Sequence, residues 1–275
     1  MAAEAPPRRR HRGIQWVGVM VSVFFLGGLV LALLSTRHLQ GSITGSDSIL
    51  SLAAIHQGFL VGTTGGVLES PDGKAWLPAT NIPREPVHVA SDGVTAYVLA
   101  GGILKDTTDL KTFSTRVAGV TGTVIAAGPA GTVSVVAGAA IDRFAVDGSR
   151  LPSLPGPPLS EPLAMAVIRD TPNSVLVGGV KGLWRTEDGG ATWQRILGTP
   201  TQAVLVDPSN PQRILLGSPG GVLVSENGGL QWRFTALRKD VHGLSWENGK
   251  FFAVTTERVV YGSNDGVTGW TAFTQ

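Results

Sequence analysis

The chain has 275 residues, 43% of them hydrophobic and 15% charged, with 37 Gly, 17 Pro and no Cys. That length can bury a full core, and the lack of cysteine excludes disulfides, thiolate metal sites and a cysteine nucleophile. The formal charge of +2 is uneven, because Arg8, Arg9, Arg10, Arg12 and Arg37 sit against one acid, Glu4, in residues 1–40, while acids outnumber bases in residues 41–275. A basic tail on an acidic body does not make a phosphate-binding surface, so nucleic acid is not an expected partner.

Residues 1–13 read as a basic cytoplasmic tail. Residues 14–34, IQWVGVMVSVFFLGGLVLALL, carry no charge and are long enough to cross a bilayer as a single transmembrane helix. The arginines ahead of this segment place the N-terminus in the cytoplasm and everything after it on the far side. A cleaved signal is the alternative, but its small-x-small cleavage site is poorly matched by Ala32-Leu33-Leu34-Ser35-Thr36-Arg37. Residues 35–46 are small and polar and read as a linker.

Residues 47–275 repeat. The fullest unit is Thr186-Glu-Asp188-Gly-Gly190-Ala-Thr-Trp193, followed by Ser225-Glu-Asn227-Gly-Gly229-Leu-Gln-Trp232 and Ser263-Asn-Asp265-Gly-Val-Thr-Gly-Trp270. Shorter copies are Ser70-Pro-Asp72-Gly73-Lys-Ala-Trp76, Thr107-Thr-Asp109-Leu-Lys-Thr-Phe113 and Ala145-Val-Asp147-Gly148-Ser-Arg-Leu151. A period near 40 residues marks a solenoid, propeller or array. Each box follows a short β-rich segment such as Gly182-Leu-Trp-Arg-Thr186, two apolar runs precede that segment, and a further strand follows the box. Four strands per repeat match a propeller blade. Six boxes therefore predict an all-β, six-bladed β-propeller with four-stranded antiparallel blades, behind one N-terminal transmembrane helix. The proline-rich run Leu151–Pro162 reads as a stiff spacer between blades 3 and 4.

The box has a local task. A hydroxyl and a carboxylate two residues apart can bond the bare N–H groups of a tight turn, Gly supplies positive φ, and Trp covers the neighbouring blade. These residues resemble the Asp-box (BNR) repeat of sialidases, sortilin-type receptors and photosystem II assembly and stability propellers, over nearly all of residues 47–275. The resemblance implies that the box serves structure and is not an active site. Ser70, Asp72, Trp76, Asp109, Phe113, Asp147, Thr186, Asp188, Gly190, Trp193, Ser225, Asn227, Gly229, Trp232, Ser263, Asp265 and Trp270 are thus expected to be structural, with no metal held.

A sialidase-like site would need an arginine cluster and an activated tyrosine, and the two tyrosines, Tyr97 and Tyr261, both fall in ordinary strand positions. Short repeats leave little chain for a substrate pocket, and no nucleophile-elbow, zinc-protease or phosphate-loop motif occurs. The chain is expected to be no enzyme and to hold no cofactor.

Loops opposite the boxes would present Arg84, His88, Arg116, Lys181, Arg238, Lys239, His242 and Arg258, which read either as a mildly basic candidate partner face or as a solvated loop set of mixed charge. His88 and His242 begin corresponding innermost strands and would line the central channel; a metal would need a third ligand, and none is apparent. The expected role is a noncatalytic scaffold, assembly factor or accessory subunit holding another membrane or envelope protein, with a glycoside hydrolase or glycan-binding propeller as the alternative. The body lacks Asn-x-Ser/Thr sites and cysteine, which favours a bacterial plasma membrane over a eukaryotic secretory route.

Overall fold

A computed structural model describes residues 47–273. The expected tail, transmembrane segment and linker all lie outside the described residues. Among the described residues no helix is long and apolar enough to cross a membrane.

The body is a six-bladed propeller. Blade 1 comprises β1 (Ile49–Ile55), β2 (Gly58–Thr63), β3 (Gly66–Ser70) and β4 (Leu77–Pro78), and blade 2 comprises β5 (His88–Ser91), β6 (Ala96–Ala100), β7 (Ile103–Thr107) and β8 (Ser114–Ala118). Blade 3 has β9 (Val124–Ala127), β10 (Val133–Ala137), β11 (Ala140–Phe144) and β12 (Arg150–Pro155), and blade 4 has β13 (Pro162–Val167), β14 (Val175–Gly179), β15 (Gly182–Thr186) and β16 (Gln194–Leu197). Blade 5 has β17 (Ala203–Asp207), β18 (Asn210–Ser218), β19 (Gly221–Ser225) and β20 (Arg233–Phe234), and blade 6 has β21 (Val241–Glu247), β22 (Lys250–Thr255), β23 (Val260–Ser263) and β24 (Thr271–Ala272). Every sheet is an antiparallel meander in chain order, and among the described residues no blade borrows a strand from another.

The second strands are the most buried. Phe59–Thr63 and Ala96–Ala100 are covered throughout, as a strand packed on both faces must be. The cores therefore lie between blades. Leu60 and Val98 share the cluster of blades 1 and 2, Tyr97 and Phe144 that of blades 2 and 3, and Val61 and Val254 that of blades 6 and 1. Closing the ring in this way hides all but short sheet edges.

The innermost strands β1, β5, β9, β13, β17 and β21 touch in sequence, and β21 returns to β1. Among the described residues no sheet ladder crosses that last seam. Ser245 Oγ accepts the Ala54 N–H at 2.9 Å, and Phe252 packs edge-on against Phe59 with ring centroids 5.0 Å apart.

The proline-rich run departs from expectation. Its first half is β12, paired with β11 from Phe144↔Arg150 to Ala140↔Pro155. An outermost strand has one edge free of ladder bonds, so prolines that donate nothing are tolerated there. The spacer shrinks to residues 156–161.

Candidate functional site

Successive strands of each blade run antiparallel. Turns between strands one and two and between strands three and four therefore lie on one face, which holds all six boxes. The remaining loops, together with the starts of the innermost strands, lie on the other, here the entry face.

On the box face five turns use the same bonds. In blade 4, Thr186 Oγ1 donates to Asp188 Oδ1 at 2.8 Å and accepts the Gly190 N–H at 2.8 Å, while Asp188 Oδ1 accepts the Thr192 N–H at 2.9 Å. Ser70 with Asp72, Thr107 with Asp109, Ser225 with Asn227 and Ser263 with Asp265 repeat the pattern. Blade 3 has Ala145 in place of the hydroxyl, and there the Asp147 carboxylate bonds to Ser149, whose N–H it accepts at 2.9 Å. The Asp188 carboxyl is held down at about 2 by the Thr192 hydroxyl and N–H, and Asp109 at about 2 by the Thr112 and Lys111 N–H groups. Burial works against ionisation of Asp265, but bonds from Thr268 and Val267 outweigh it and keep the carboxyl below its ordinary range.

The box aromatics pack backward, each against the preceding blade. Trp76 joins the cluster of blades 6 and 1, Phe113 that of 1 and 2, Trp193 that of 3 and 4, Trp232 that of 4 and 5, and Trp270 that of 5 and 6. Leu151 supplies no such ring between blades 2 and 3. Tyr97 is buried in the cluster between those blades, its hydroxyl donating to Asp92 Oδ2 at 2.9 Å with the Arg116 guanidinium 4.8 Å above its ring. Burial, then the Asp92 charge, push the phenol up to about 12. Tyr97 is a packed strand residue.

Arg116 consequently leaves the expected partner face. It lies in the outermost strand β8, pairs with Asp106 at 2.9 Å and donates to Gly131 O at 2.7 Å, with its side chain only 5% exposed. An edge-strand sequence does not reveal which way a long side chain folds.

The other expected residues do share the entry face. Arg84 and Lys181 are exposed, and Arg238 lies 4.0 Å over the Phe234 ring. Lys239 pairs with Glu257 at 2.6 Å, and Arg258 donates to Asp47 O at 3.3 Å. Asp47, Glu85, Glu161, Asp240 and Glu257 join them on this face by the same topology. With Arg116 withdrawn, the face is mixed in charge, one of the two readings that the sequence left open.

The channel opens at the centre of this face as a cavity of about 110 Å³. Its rim is built by register. Leu50, Leu163 and His242 are the bulged residues near the starts of β1, β13 and β21, His88 starts β5, and Gln202 immediately precedes β17. A bulge re-aims a side chain, and all five of these residues line the cavity. Burial pushes the His88 imidazole down to about 4, so it stays neutral near pH 7. His242 Nδ1 lies 3.0 Å from Ile49 O. A carbonyl only accepts, so Nδ1 carries a proton; Nε2 lies 2.9 Å from the Gln202 amide and 3.3 Å from Asp240 Oδ1.

The sequence reading anticipated both histidines but missed Gln202. Its signal was its place one residue ahead of Ala203, matching His88 ahead of Val89 and His242 ahead of Gly243. Arg169 was also missed. It lines the opposite end of the channel and donates to Asp92 O at 2.8 Å, from blade 4 to blade 2. Nothing in a loop sequence announces a bond spanning 77 residues. Among the described residues no group of three or more His, Cys, Asp or Glu could hold a metal ion.

No family model and no curated protein sequence matches the chain. Solved structures do. A chain of a nidogen/laminin complex aligns with a TM-score of 0.61 at 10% identity, over 78% of this chain and 92% of that one. The extracellular domain of the putative hybrid two-component system BT4673 from B. thetaiotaomicron aligns with a TM-score of 0.53 at 14% identity, over 83% of this chain. This chain spans only 33% of that domain. YCF48 from Cyanidioschyzon merolae aligns with a TM-score of 0.49 at 15% identity, over 84% of this chain and 86% of that one. The first two alignments reflect a shared fold.

Proposed function

We propose that the chain is a noncatalytic protein-interaction propeller, a scaffold, assembly factor or accessory subunit that holds another membrane or envelope protein against its entry face. The observation behind this reading is a rigid closed ring that presents short loops. Arg84, Lys181 and Arg238 project from that face, and none of them forms an ion pair among the described residues. Loops on a rigid scaffold are where binding concentrates. The box face differs, since in five blades the Asp or Asn side chain bonds its own turn, and we read those turns as Asp-box repeats.

The charge-free run 14–34 behind Arg8–Arg12 supports a single-pass anchor with the N-terminus in the cytoplasm and the propeller outside it, in a bacterial plasma membrane. An anchor raises the effective concentration of the propeller near membrane partners. One neighbour is a chain of a two-protein complex, of nidogen with laminin, and the same use of the fold is proposed here.

The test is detergent extraction of tagged full-length chain after cross-linking in intact membranes. The reading expects one stable membrane or envelope partner, lost when Arg84, Lys181 and Arg238 are all changed to Glu. Recovery of the chain alone, or a partner indifferent to those three changes, would count against it.

A further inference from the structure

One cleft breaks the regularity of the repeat. Among the described residues, 168–174 form the longest turn joining a first strand to a second; the other blades use residues 56–57, 92–95, 128–132, 208–209 and 248–249. Across the seam, β18 has 9 residues where the other second strands have 5 or 6. Insertions into a repeat collect on one face, and that face is often the one that binds. Here they enclose a cleft of about 530 Å³ between blades 4 and 5 on the box face, within the size range of small-ligand sites.

Both walls of the cleft are braced by their own backbone. The Ile168 N–H donates to Ser174 O at 3.0 Å and the Ser174 N–H to Thr171 O at 2.7 Å, while Asn173 O accepts the Gly189 N–H at 3.0 Å. Opposite them, the Gln212 N–H donates to Asn210 Oδ1 at 3.1 Å, and Gln212 O accepts the Gly228 N–H at 2.8 Å. The side chains are left over. Those of Asp170, Thr171, Asn173 and Gln212 line the cleft, belong to exposed residues, and form no hydrogen bond or ion pair among the described residues. Arg185 also lines it but is committed to Gly228 O at 2.7 Å and to Glu187 at 2.7 Å. The walls meet at Gly228, where a Cβ would stand 2.8 Å from Gln212 Oε1 and 3.4 Å from Arg185 Nη1.

Two primary amides, a hydroxyl and a carboxylate offer donors and acceptors together. Pro172 and Pro211 add flat apolar surface to the same cleft. This combination fits a ligand dense in hydroxyls, each able to donate and accept, carried on a ring with C–H faces. An acidic ligand is disfavoured, because Asp170 and Glu187 outnumber Arg185, which Glu187 already holds. A peptide is the weaker fit, since an extended backbone is read by a strand edge and this cleft presents side chains. We propose that the cleft between blades 4 and 5 binds a neutral oligosaccharide. The planar ends of Asp170, Asn173 and Gln212 each meet neighbouring hydroxyls, and the proline rings pack on sugar C–H faces. The site does not rest on the scaffold reading, which uses the opposite face.

The experiment is an amide-detected NMR titration of the full-length chain in phosphocholine micelles, which carry no sugar. The probes are maltotriose, cellotriose, mannotriose, N-acetylchitotriose, sialyllactose and tetraglycine. At least one neutral trisaccharide should give saturable shifts of the Asn173 and Gln212 side-chain amides, with the entry-face Gln202 amide unmoved. Its affinity should exceed those of sialyllactose and tetraglycine. Asn173→Ala with Gln212→Ala removes side chains that bond nothing else in the protein, so the fold should persist, checked by an unmoved His56 resonance. Read from the Thr171 and Gly228 backbone N–H groups, the double variant should bind that sugar about ten-fold more weakly or worse, as two lost hydrogen bonds require. No saturable shift with any neutral sugar, or full affinity in the double variant, would overturn the proposal. Equal or tighter binding of sialyllactose or tetraglycine would overturn it too, by assigning the cleft to an acidic sugar or to a polypeptide.

Discussion

Thr186 shows how one hydroxyl carries a turn. It is 1% exposed, accepts the buried Gly190 N–H and donates to Asp188. Thr186→Val keeps the shape and orphans that N–H, so urea denaturation should show a loss of about 1–3 kcal/mol. Ala145→Gly in blade 3 removes no such bond and should cost under about 1 kcal/mol. His88 gives the pH signature. Its pKa falls from 6.5 to about 4 in the fold through desolvation, so between those values the unfolded chain binds more protons than the native one. Stability is therefore full above pH 6.5 and is lost as pH falls toward 4, by up to about 3 kcal/mol. The box aspartates, with pKa values lowered to about 2 at Asp109 and Asp188, add a further loss only below about pH 4. Denaturation midpoints at pH 7.5 and pH 5 should separate in the wild type and converge in His88→Leu; an unchanged slope in that variant would show that another group carries the dependence. The box residues were legible because a hydroxyl, a carboxylate and a glycine at fixed spacing answer one local need. Arg116 was not, because its partners Asp106 and Gly131 belong to other strands and loops.

At the scale of elements, the turns set the register that aims the strands. Gly190 has φ +90°, and a Cβ there would run into the Pro155 carbonyl of the preceding blade. Gly190→Ala should cost at least about 2 kcal/mol in thermal or urea denaturation, through strain and clash together. Gly249→Ala, at φ +78° with nothing within 4 Å, should cost about 1 kcal/mol from strain alone. Equal losses would show that the contact between blades does not matter. Leu110 is the exception that marks a packing demand: it holds φ +64° where other boxes use Gly, and it is 5% exposed in the cluster between blades 1 and 2. The strands themselves were legible from apolar runs entering Gly/Asp turns. The start of the blade 3–4 spacer was misread because proline argues against strand in general, whereas the outer edge of β12 tolerates it.

At the scale of the whole molecule, the repeat period fixed six blades before any contact was known, because each box marks one blade. How the ring closes was not legible. The bonds Ala54–Ser245 and Ile49–His242 join residues 191 and 193 positions apart, and no local pattern encodes such a pairing. With each blade built from its own four strands, closure rests on side chains, among them Phe59, Phe252 and Phe273, the last packed 6.0 Å from Phe59. Phe252→Ala should accordingly cost about 3–5 kcal/mol in urea denaturation, more than an exposed substitution such as Leu230→Ala at an 85% exposed position, which belongs within about 0.5 kcal/mol of wild type. The most direct measurement uses the absence of native cysteine. His56→Cys with Glu247→Cys, whose native side chains lie 3.8 Å apart across the seam with His56 exposed, treated with a short bifunctional maleimide, should yield an intramolecular cross-link in nearly all monomers, while Val146→Cys with Glu247→Cys should yield none. A folded double variant at the seam that fails to cross-link, or one that links only between molecules, would contradict a ring closed between its sixth and first blades.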